Sequence, residues 1–123
     1  VRDHRKLRAF ELADEVTVLV YRITRKFPKE EMFGLTSQIR RAAVSVPSNI
    51  VEGCARDSQT EYVRFLNIAF GSLRELSYQL NLSNRLGYLS SKDYAILEPI
   101  VVETEKVLNG LIRAFRKTGN KAG

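Results

Sequence analysis

Residues 34–53 read GLTSQIRRAAVSVPSNIVEG, and the fold turns on how this stretch is read. At about 100° per residue, Leu35, Ile39, Ala42, Ala43, Val46 and Ile50 fall on one stripe, which makes the segment an amphipathic helix. A helix in a simple bundle needs one apolar and one polar face, and this one has a further face. Beside the core stripe run Gln38, Arg41, Ser45, Ser48, Asn49 and Glu52, a hydrogen-bonding row contiguous over about four turns. Beyond it lie Val44, Pro47, Val51 and Cys54, apolar residues turned away from the core stripe. Such residues either stand in water or pack on another chain, and packing removes them from water.

Working outward, residues 7–27 place Ala9, Leu12, Ala13, Val16, Leu19, Val20, Ile23 and Phe27 on one helical stripe. The run VTVLVYRIT has the β-branched content of a strand, but both alternating faces would be apolar and the helical stripe continues on either side, so the segment reads as helix. Residues 59–86 open with Ser58 and Glu61 in capping-box spacing, carry Tyr62, Phe65, Leu66, Ala69, Leu73, Leu76 and Leu80 on one stripe, and meet Gly87 as a C′ stop. Residues 92–117 follow Ser90 or Ser91 as N-cap, with Leu97, Ile100, Val101, Thr104, Val107, Leu108, Leu111, Ile112 and Phe115 on the stripe and a kink expected at Pro99. Four helices joined by short loops predict an all-α, antiparallel up-down-up-down four-helix bundle, one domain over residues 1–123 with a tail from about 118.

Composition narrows the function. The chain has 123 residues, 44% of them hydrophobic and 28% charged, which suits one core. No apolar run approaches the roughly 18 residues of a membrane span, and the charged start VRDHRKLR lacks the apolar stretch of a secretory signal, so the expected compartment is a bacterial-type cytoplasm. Enzyme chemistry is poorly supplied: His4 is the one histidine, and Cys54, the one cysteine, has no histidine partner by spacing. Acidic pairs such as Asp14-Glu15 and Glu30-Glu31 read as solvated faces, not metal ligands, and neither a P-loop nor a GxGxxG fingerprint occurs. The expectation is no enzyme, no metal and no cofactor.

Self-association and polyanion binding are the positive expectations. The third helix repeats the surplus apolar seam, with Ile68, Gly71, Tyr78, Leu82 and Leu86 opposite its core stripe, and Gly71 reads as a site of close backbone approach. Val44, Pro47, Val51 and Gly71 are therefore the expected oligomer contacts. The polar row is either a solvated face or a set of pairs between helices or subunits. With the second and third helices antiparallel, Arg41 falls within a turn of Glu75 and Glu52 within a turn of Arg64, which would fix register. The net charge of +6 favours RNA or DNA. In an up-down-up-down bundle both termini and the second loop share one end, which gathers Arg2, Arg5, Lys6, Arg8, Arg56, Arg64, Arg113, Arg116, Lys117 and Lys121. Of these, Arg5, Arg8, Arg56, Arg113, Arg116 and Lys117 are the expected nucleic-acid contacts. The alternative is that these charges only keep the protein soluble or attract an acidic protein.

The strings KFPKEEMFGLTSQIRRAAVSVPSNIVEG (residues 26–53), IAFGSLRELSYQL (68–80), LGYL (86–89) and NGLI (109–112) resemble the four helix bundle protein family, also called the rRNA intervening-sequence protein family. Phe10 stands where many relatives carry Trp. The resemblance implies a bacterial helical bundle that assembles as a homopentameric ring. A similar bundle, the accessory protein of diversity-generating retroelements, forms a basic pentamer that binds nucleic acid and a reverse transcriptase. Neither supplies catalytic residues to this chain.

Overall fold

A computed structural model describes residues 2–122, with side chains described for residues 2–116. The four helices are α1 (Arg8–Thr24), α2 (Leu35–Cys54), α3 (Gln59–Arg85) and α4 (Ser91–Ala122), and no strand occurs among the described residues.

α1 stops at Thr24, short of the expected residue 27. Pro28 disfavours helical backbone at Phe27, and the chain tightens before it: the amides of Arg25, Lys26 and Phe27 donate to the carbonyls three residues back. Phe27 nevertheless stays buried, its ring 6.0 Å from that of Tyr88. Ahead of α1 lies a 3-10 turn, His4–Lys6, absent from the sequence reading and capped by Asp3, which accepts from the Arg5 amide.

Pro47 sits inside α2 and has no N–H for the carbonyl of Ala43. The Thr17 hydroxyl of α1 compensates, lying 2.8 Å from Ala13 O and 3.1 Å from Ala43 O. Pro47 is thus part of the α1–α2 docking and is buried, as is Cys54, 1% exposed. This corrects the outward face expected from the sequence: positions 47 and 54 are rotated by about 60° from 44 and 51, which turns them inward. Val44 and Val51 alone of the four are exposed.

α3 begins and ends as read. Ser58 Oγ accepts from the Glu61 amide, although the Glu61 carboxylate turns to Arg64 and does not close the capping box. At the other end Gly87, at φ +82°, lets Tyr88 donate to Ser83 O and Gly87 to Asn84 O, the bonding of a Schellman stop. Ser90 is the residue that caps α4, accepting from the Asp93 amide at 3.1 Å. α4 runs through Pro99 as one helix, and Ala95 and Pro99 are both exposed, so water reaches the carbonyl the proline leaves without a donor.

Every residue of the α3 stripe is buried, and Leu66, Ala69, Leu73 and Leu76 have no exposure at all. They meet Ala13, Val16 and Val20 of α1, Ile39, Ala43, Val46 and Ile50 of α2, and Leu97, Val101, Leu108 and Ile112 of α4 in one cluster. Burying each large side chain contributes about 1.5–3 kcal/mol. α1 packs on α2 and α4, and α3 packs on the same two.

Cross-contacts place the ends. Arg2 donates its amide to Cys54 O and its guanidinium to Arg56 O, and Gln59 Nε2 donates to Phe115 O at 2.7 Å. The N-terminal segment, the α2–α3 turn and the later turns of α4 therefore meet at one end. At the opposite end Lys26 pairs with Asp93, and the Tyr88 hydroxyl donates to Glu31.

Candidate nucleic-acid interface

The end where the N-terminal segment meets the α2–α3 turn carries most of the basic residues named from the sequence, and the structure divides them by partner. Arg5 is held by Asp3 at 3.0 Å, which keeps that carboxyl below its ordinary range. Arg8 bridges Glu11 (2.9 Å) and Glu103 (3.2 Å). Arg56 donates to Glu52 and Arg64 to Glu61, and the latter contact holds the Glu61 carboxyl low as well. Lys6 and Arg113 are exposed and make no ion pair among the described residues, and Arg116 donates only to the neutral Asn67 amide oxygen. The side chains of Lys117 and Lys121 lie outside the described residues.

Asp3, Glu52 and Glu61, acids expected to oppose the basic cluster in part, hold Arg5, Arg56 and Arg64, and Arg8 is held by Glu11 and Glu103. Arg2, Lys6, Arg113 and Arg116 are left with Asp57 as the remaining local acid that holds no basic partner among the described residues.

The polar row is corrected in the same way. Neither Arg41–Glu75 nor Glu52–Arg64 forms an ion pair within the chain. The register behind them is nearly right, since Ser45 bonds Ser72 (2.8 Å) and Gly53 abuts Phe65 across α2 and α3. Partners three or four residues away in sequence are simply nearer: Glu52 takes Arg56 just past the end of α2, Arg64 takes Glu61, and Glu75 accepts from Gln79. Asn49 donates back to Ser45, and Arg41 and Gln38 face solvent.

Within the chain, close approach falls at Gly53, while Gly71, expected at a contact between subunits, is open. A Cβ on Gly71 would meet nothing within 4 Å, whereas one on Gly53 would stand 2.9 Å from Phe65 Cβ and 3.4 Å from the Tyr62 ring. Through Gly53 α2 and α3 come together directly beneath the basic end. Here Tyr62 is fully buried beside the buried Cys54, with the Arg2 guanidinium 4.0 Å over its ring. Burial pushes the Cys54 thiol up, which keeps it protonated and poorly nucleophilic.

Burial also pushes the Tyr62 phenol up to about 12 from its ordinary 10.0, with the neighbouring Cys54 adding to the shift. The unfolded chain gives up this proton near pH 10, so stability is complete below about pH 10 and falls as pH rises from there to about 12. The hydroxyl has only the weakly polar Cys54 thiol beside it and makes no hydrogen bond of ordinary geometry. Tyr62→Phe is therefore expected to keep or slightly raise stability at pH 7 and to flatten the alkaline loss, read as the denaturant midpoint against pH. Equal alkaline losses in the two proteins would assign the effect to another group.

Among the described residues no group of three or more His, Cys, Asp or Glu could hold a metal ion, and no helix is long and apolar enough to cross a membrane. The fold defines an all-α protein of four helices. More particularly, the chain belongs to the 23S rRNA-intervening sequence protein family, whose model matches residues 5–110. Its fold is similar to the crystal structure of a protein of unknown function from the S23 ribosomal protein family of Bacteroides thetaiotaomicron. The TM-score is 0.78 at 25% identity, covering 85% of this chain and 95% of that one. No curated protein is a significant match.

Proposed function

We propose that this chain is a non-enzymatic, cytoplasmic scaffold that assembles as a homo-oligomeric ring of antiparallel up-down-up-down bundles and holds RNA or DNA at its basic end. The observation that carries the binding reading is the convergence of Arg2, Lys6, Arg113 and Arg116 at one end where, among the described residues, Asp57 is the one unengaged acid. A ring repeats that set in every subunit, so weak phosphate contacts add through multivalency. Retention of a labelled RNA or DNA near 50 mM salt that vanishes as salt rises supports the reading, and no retention at that salt sinks it.

The antiparallel order is supported by contacts that run oppositely along each pair of neighbours: Thr17 to Ala43 and Arg40 to Thr24, Ser45 to Ser72 and Gly53 to Phe65, Arg74 to Glu105 and Asn81 to Tyr94. Assembly is supported by the exposed Val44, Val51, Ile68, Tyr78 and Leu86 and by the open space above Gly71. The copy number of five comes from the family resemblance. Light scattering is expected to give a mass about five times the 14.0 kDa chain, and Gly71→Leu is expected to lower it. A mass of one chain across working concentrations would overturn the ring.

A protein-interaction module is the second reading. It is favoured by Phe33, 94% exposed beside the exposed Met32 at the end opposite the basic one.

A further inference from the structure

Three arginines at the basic end lie over aromatic rings. Arg2 is 4.0 Å from the ring centroid of Tyr62, and Arg56 and Arg64 share Phe65 at 4.7 and 4.5 Å. Phe65 is itself locked, because Gly53 packs against its Cβ and only 8% of the residue is exposed. Carboxylates already engage both guanidiniums in part: Glu52 accepts one bond from Arg56 at 3.0 Å, and Glu61 accepts two from Arg64 at 2.9 and 3.2 Å. A phosphate drawn to either guanidinium meets a carboxylate of its own sign beside it. A nucleobase needs only the guanidinium plane, and the two side chains remain 42% and 55% exposed.

We propose that the basic end takes single-stranded nucleic acid, with unpaired bases stacking on the planes of Arg56 and Arg64 while Lys6, Arg113 and Arg116 receive the phosphates. The proposal rests on the nucleic-acid reading above and adds the strand state of the ligand. Charge alone points the other way, since a duplex carries twice the charge per unit length of one strand and a purely electrostatic surface favours it. A duplex hides its base faces in the stack and offers this platform nothing, whereas splayed bases stack on guanidinium planes as well as on aromatic rings.

The test compares one unstructured labelled 20-mer, alone and as a perfect duplex, by fluorescence anisotropy near 50 mM salt, on the full chain and on the Arg56→Lys/Arg64→Lys double variant. Lysine keeps each charge and its glutamate partner but has no plane. The full chain is expected to bind the single strand about tenfold more tightly than the duplex. The variant, checked for the wild-type dichroism spectrum, is expected to bring that ratio close to one with duplex affinity unchanged. A ratio near one in the full chain, or the same preference in the variant, overturns the stacking proposal and leaves nucleic-acid binding standing. Absence of binding to either ligand overturns both.

Discussion

Replacing Lys6, Arg113 and Arg116 with glutamine is expected to abolish nucleic-acid retention near 50 mM salt while leaving the dichroism spectrum and the oligomer mass unchanged. Lys6 and Arg113 are exposed and unpaired among the described residues, and Arg116 gives up one exposed hydrogen bond to Asn67, so the fold loses little. Each phosphate contact on a single strand contributes about 0.7 to the slope of log affinity against log salt, and three lost contacts lower that slope by about 2 for each subunit engaged. Multivalency multiplies the loss around a ring. Arg5→Gln with Arg8→Gln is expected to do less, because both guanidiniums are already engaged by Asp3, Glu11 and Glu103 and offer a phosphate less than an unpaired cation does. If the triple variant kept the wild-type slope, the unpaired cations would not be the binding surface.

Gly53→Val is expected to be the most damaging conservative substitution at the α2–α3 contact. The new Cβ would stand 2.9 Å from Phe65 Cβ, and that atom cannot swing aside because it is fixed to the α3 backbone. The helices must then separate, an overpacking cost of about 1–3 kcal/mol before the added methyls are placed. Phe65 also carries Arg56 and Arg64, so the same variant is expected to disturb the basic end. Gly71→Ala supplies the contrast: its Cβ meets nothing within 4 Å, and better helix propensity is worth up to about 1 kcal/mol within the subunit. Urea unfolding at matched chain concentration reads both, since assembly couples stability to concentration. A wild-type midpoint for Gly53→Val would show that the approach is not tight.

Much of the fold was legible because apolar periodicity and capping are local. The stripes of residues 59–86 and 34–53 mark the buried face of α3 and most of that of α2, and Ser58, Gly87 and Ser90 stand where side-chain and backbone geometry stop or start a helix. The early end of α1 was less legible, since the Pro28 signal competed with a stripe that carries Phe27 into the core by a turn.

By itself, the sequence determined that the chain is helical, which residues form the main core stripes, that basic residues of both terminal regions and the second loop meet at one end, and which family the motifs resemble. Only the tertiary structure decided how those charges are spent. Ion-pair choice depends on distances of a few ångströms between side chains, so Glu52 and Arg64 found partners three or four residues away in sequence instead of each other. It also decided that Pro47 and Cys54 face inward and that Gly53 is where α2 and α3 touch. A projection ranks residues by angle around one axis, whereas burial and close approach depend on where the neighbouring axis lies, and that is set by the packing of all four helices together.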